Sequence, residues 1–84
     1  MTEHILRPRT PDRKVTVGWD PALATFFCKV IDTKHDKLID FLGNKEREII
    51  DVVDLRKRVH RYGYFNQELG DKLRADRDAG RAAS

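Results

Sequence analysis

The chain has 84 residues and a formal net charge of +3, with seventeen Lys and Arg against fourteen Asp and Glu. That is one domain's worth of sequence, with little interior to spare for a deep substrate pocket, so the length argues against an enzyme. The modest, mixed-sign charge argues against a dedicated nucleic-acid binder. The lone cysteine, Cys28, allows no internal disulfide, and no apolar run reaches the roughly 18–20 residues that cross a bilayer, so the expectation is a cytoplasmic protein.

Residues 1–14 read as a basic, flexible arm. Pro8 and Pro11 each remove a backbone donor, and Arg7, Arg9, Arg13 and Lys14 supply charge. Only Ile5 and Leu6 are apolar, so the stretch is either without fixed structure or a short edge strand around residues 4–6. The domain proper is expected over residues 15–79. Its first strand covers residues 15–19, where Val15, Val17 and Trp19 alternate with smaller residues. Asp20-Pro21 ends it.

A second strand is predicted over residues 25–32. Phe26, Cys28 and Val30 share one face and are wholly apolar, as a core face should be. Phe27, Lys29 and Ile31 share the other, which is either covered by a helix or left as a binding face. Residues 33–36 form a turn, and a third strand follows over residues 37–42. Gly43-Asn44 stops it, since both residues tolerate positive φ. Residues 46–50 are a fourth short strand or a loop.

The C-terminal third is helical. Asp51 is the expected N-cap of a first helix, with Val52, Leu55 and Val59 on its buried face and Gly63 as its C-cap signal. Asn66 is the expected N-cap of a second helix bearing Leu69 and Leu73, and residues 80–84 read as a frayed tail. Strands first and helices afterwards give an α+β fold: an antiparallel sheet of three to four strands packed against two short C-terminal helices.

Catalytic chemistry has little support. Ser84, the lone serine, is the last residue, and Cys28 lies in an apolar strand where burial raises a thiol pKa. The nearest approach to a catalytic constellation is His60 brought beside Cys28 or Asp32 by the fold. Asp32, His35 and Asp36 are close in sequence but belong to a turn. No spacing fits a metal centre, no glycine-rich phosphate loop appears, and no cofactor is expected.

Two features remain. The run Arg56-Lys57-Arg58-Val59-His60-Arg61 is either a contact for phosphates or an acidic protein, or a solvated helix end whose cations suit the dipole. Tyr62-Gly63-Tyr64-Phe65 follows in a loop, where aromatics beside arginines are what an interface anchor needs. The expected partner-binding residues are therefore Lys57, Arg58, Arg61, Tyr62 and Tyr64, with Tyr64 exposed. A protein partner leads, nucleic acid is the alternative, and monomer and homodimer stand equal.

Val17-Gly18-Trp19-Asp20-Pro21, with Leu23 and Thr25-Phe26-Phe27, resembles a block of small uncharacterised bacterial proteins of plasmid and phage type. Arg47-Glu48-Ile49, Leu55, Tyr62 and Asp76-Arg77 are compatible with it. The resemblance covers roughly residues 15–78 and carries over no chemistry. It implies a mobile-element accessory protein, such as a regulator or an inhibitor of a host system of the anti-CRISPR kind.

Overall fold

The computed structural model describes residues 2–83. Strands β1 (Thr2–Pro8), β2 (Arg13–Asp20), β3 (Thr25–Asp32) and β4 (Lys37–Leu42) come first. Helix α1 (Val52–Val59), the two-residue strand β5 (Gly63–Tyr64) and helix α2 (Gln67–Ala83) follow. The strands form one antiparallel sheet in the order β4-β3-β2-β1-β5. The fold is α+β with its helices at the C-terminal end, and the sheet has five strands.

Alternation along the strands decides which face the helices cover. Leu6 of β1, Val15, Val17 and Trp19 of β2, and Phe26, Cys28 and Val30 of β3 all lie in the core. Against them pack Ile49, Val52, Leu55 and Val59, and Leu73 from α2. Each such side chain contributes about 1.5–3 kcal/mol by leaving water. Trp19 and Phe26, paired across β2 and β3, meet edge to face at 4.9 Å.

The helix starts follow the capping chemistry. The Asp51 carboxylate accepts the Val53 N–H at 2.9 Å, and the Asn66 side-chain oxygen accepts the Leu69 N–H at 2.8 Å. Residues 43–50 are a loop rather than a strand, held by Thr25. Its hydroxyl oxygen accepts the Ile49 N–H at 2.8 Å, and the Ile49 carbonyl accepts the Phe26 N–H at 2.8 Å.

Of the two readings of residues 1–14, the strand holds, over Thr2–Pro8 rather than residues 4–6 alone; two other expectations, the Gly63 cap and the frayed tail, are corrected. Residues 2–6 pair with β2, from Thr2↔Trp19 to Leu6↔Val15, and Leu6 is fully packed. Pro8 ends that strand and Pro11 lies in the following turn, so neither interrupts the ladder within it. Gly63 does not cap α1, whose last turn ends at His60. It sits in β5, where an added Cβ would lie 3.1 Å from the Leu6 Cβ, and this close approach is why glycine stands there. The expected tail is helical through Ala83; Ser84 lies outside the described residues.

Candidate functional site

The residues expected to bind a partner stand in different environments at the end of α1 and the turn after it. Arg58 is paired with Asp54, Nε to Oδ1 at 3.2 Å, on the solvent side of α1. Lys57 lines a shallow groove of about 330 Å³ on the same helix with Val53, Arg56 and His60. Arg61 is exposed and holds its guanidinium 5.8 Å from the Tyr62 ring. Tyr62 itself turns inward: it is half-buried against the core, and its hydroxyl donates to Asp40 Oδ2 at 2.6 Å. That bond to a carboxylate pushes the Tyr62 phenol pKa up.

Tyr64 is exposed, as expected. It pairs with Arg7 at the sheet edge, and the Arg9 guanidinium stacks 4.3 Å from its ring centroid. Arg9 Nε also donates to the His60 carbonyl at 2.6 Å, so this arginine links the β1–β2 turn to the end of α1.

A second surface is more extensive. Both helices pack on the face that carries Val15, Val17, Phe26 and Cys28, which leaves the alternate residues on a face without a helix. One cross-strand row there reads Ile5, Thr16, Lys29, Phe41, and the next contains Lys14, Ile31 and Leu38. Phe41 and Leu38 share this face although they are three residues apart. A bulge makes this happen: Val30 pairs with Asp40 but Ile31 with Leu38, so Ile39 is the extra residue.

On this face Ile5 is 69% exposed and Leu38 59%, whereas Phe27 is buried. The cross-strand neighbour of Phe27 is Gly18, which leaves room for the ring. Lys29 lies 5.1 Å from the Phe41 ring, and Lys14 and Arg7 are exposed beside them. Among the described residues, none of Arg7, Lys14 and Lys29 enters an ion pair. Of the carboxylates, Glu3 stands at one corner. Asp20 is turned back on its own turn, accepting the Ala22 N–H at 3.0 Å. The sequence had marked Phe27, Lys29 and Ile31 as a face of open role; the signal it lacked was which side the helices would take.

No family model, curated protein or solved structure matches this chain.

The remaining reactive groups are accounted for by local structure. Cys28 is buried, and burial first, then the Asp40 charge, pushes its thiol up to about 12. Asp32 accepts the Lys34 and His35 N–H groups at 2.9 and 3.2 Å and the His35 ring nitrogen at 3.0 Å. These bonds, the ring contact foremost, hold its carboxyl below the usual range and make the trio a turn. His60 is exposed at the end of α1 with Arg9, not beside Cys28. Among the described residues no group of three or more His, Cys, Asp or Glu is placed to hold a metal ion, and no helix is long and apolar enough to cross a membrane.

Proposed function

We propose that this protein is a non-catalytic protein-binding module that works through the helix-free face of its sheet. The observation that carries this reading is the exposure of Ile5 and Leu38 on that face, beside Arg7, Lys14 and Lys29. Exposed aliphatic groups rimmed by charge mark interaction surfaces. The partner is a protein surface with an apolar centre and carboxylates around it. Packing this face against its own copy would set Lys14 and Lys29 against like charges, so charge favours a different protein. A mobile-element inhibitor acts in this manner, by occupying a surface its target needs. The test is affinity capture from cell lysate with the native chain, a Lys29→Glu/Leu38→Glu variant and an Arg74→Glu control on α2. A partner recovered by the native chain and the control, but lost with the face variant, supports the reading. Equal recovery with all three overturns it.

One observation favours a second reading, nucleic-acid binding. The α1 groove is lined by Val53, Arg56, Lys57 and His60 with no carboxylate, and Arg9 sits against His60. Anisotropy titration with labelled single- and double-stranded nucleic acid decides it. Binding that persists at physiological salt, with a steep salt slope and loss in Arg56→Glu/Lys57→Glu, would support it. No binding at low salt would dismiss it.

A further inference from the structure

The sheet has two outer edges, and they differ. The β4 edge carries the bulge at Ile39, a feature that bends a strand and discourages edge-to-edge pairing. The β1 edge is regular. Its outer side is covered by β5 only at Arg7 and Pro8, so residues 2–6 present a backbone edge that no strand covers among the described residues. Along that edge runs an open groove of about 950 Å³, between β1 and the first turns of α2, with Tyr64, Leu69 and Lys72 on its far wall.

We propose that this edge pairs with β1 of a second copy, antiparallel about a two-fold axis through His4, joining two five-stranded sheets into one. The register follows from the geometry. Tyr64 occupies the edge beside Arg7, so an added strand stops at Leu6. The free edge is therefore residues 2–6, and a two-fold axis that fills it passes through residue 4. His4 then faces His4 of the second copy, Glu3 faces Ile5, and Thr2 faces Leu6.

The side chains on the helix-free face suit that register. Glu3, Ile5 and Arg7 occupy alternate positions of β1. In an antiparallel pair centred on His4, Glu3 lies diagonally across from Arg7 of the second copy, within reach of long side chains, and the same contact recurs by symmetry. The two Ile5 side chains lie along the same diagonal, and the opposite diagonal relates the two Glu3 side chains, so each Glu3 has an Arg7 on one side to offset the other Glu3. Neither Glu3 nor Arg7 has an ion-pair partner within its own chain among the described residues. On the helix side, His4 is held by Asp76 of its own α2, Nε2 to Oδ2 at 2.7 Å. The pairing shares Ile5 and Arg7 with the partner-binding face but does not involve Lys29 or Leu38, and sedimentation of the chain alone tests it separately from that reading.

Sedimentation equilibrium of the full chain, from micromolar to near-millimolar concentration, tests this. The expected result is a concentration-dependent dimer. Glu3→Arg and Arg7→Glu should each raise its dissociation constant about tenfold, because each reverses both symmetry-related contacts. The double variant Glu3→Arg/Arg7→Glu should return it to near the native value. Circular dichroism checks that all three variants stay folded; both positions are exposed, so their melting should match the native chain. A chain that stays monomeric throughout would overturn the proposal. So would a dimer indifferent to the single reversals, or a double variant no tighter than the singles.

Discussion

The Tyr62 hydroxyl donates to Asp40 across 22 positions of sequence, at 2.6 Å, and so ties the turn after α1 to the edge strand β4. Asp40 pairs with Val30 on the core face, and its charge also acts on the Cys28 thiol. Tyr62 is therefore an internal tie, and its neighbour Tyr64 is the aromatic that faces solvent.

Tyr62→Phe should lower stability by about 1 kcal/mol. That is the low end for a hydrogen bond to a charged group, since the site is half-exposed. Thermal melting should fall by several degrees, about what such a loss costs a domain of this size. Partner capture should be unaffected, and a variant that keeps full stability but loses its partner would reverse that assignment.

Alkaline pH should weaken the fold. The Cys28 thiol rises from 9.0 to about 12 on folding, and Tyr62 is also raised. Both groups keep their protons in the folded state longer than in the unfolded one. Their contribution is complete below about pH 9 and is lost as pH rises towards 12. Urea midpoints measured from neutral to alkaline pH should fall across that window, and Cys28→Val should flatten the decline. An unchanged decline in Cys28→Val would contradict the assignment.

Much of this was legible in the sequence. The β3 alternation of Phe26, Cys28 and Val30, the stop at Gly43, and the caps Asp51 and Asn66 are local signals, and each marks a real element boundary or face. Strand β1 was legible only as one of two alternatives, an edge strand around residues 4–6, because Leu6 alone joins the core from a stretch of charges and prolines, and its partners lie in β2 and in β5 far along the chain. The exposure of Tyr64 was legible, but the inward turn of Tyr62 was not. It depends on the chain entering a strand only at Gly63, close against β1. The role of Lys29 and Ile31 turned on which side of the sheet the helices chose, a decision made by tertiary packing.

Gly43→Ala should be strongly destabilising. Gly43 adopts φ +74, and an added Cβ would fall 1.9 Å from the Phe26 carbonyl oxygen, a backbone atom that cannot swing aside. The expected cost is roughly 3 kcal/mol, from strain and the shift of the loop that carries Ile49. Chemical denaturation measures it, and a loss below about 1 kcal/mol would mean that this loop moves without cost.

The most direct test of binding through the sheet face is the affinity of the captured partner for the native chain and for Lys29→Glu/Leu38→Glu, measured by biolayer interferometry beside their melting curves. The expected result is an affinity loss of about a hundredfold with unchanged melting, because both side chains lie on the helix-free face outside the core. Unchanged affinity in a folded variant would contradict binding through this face.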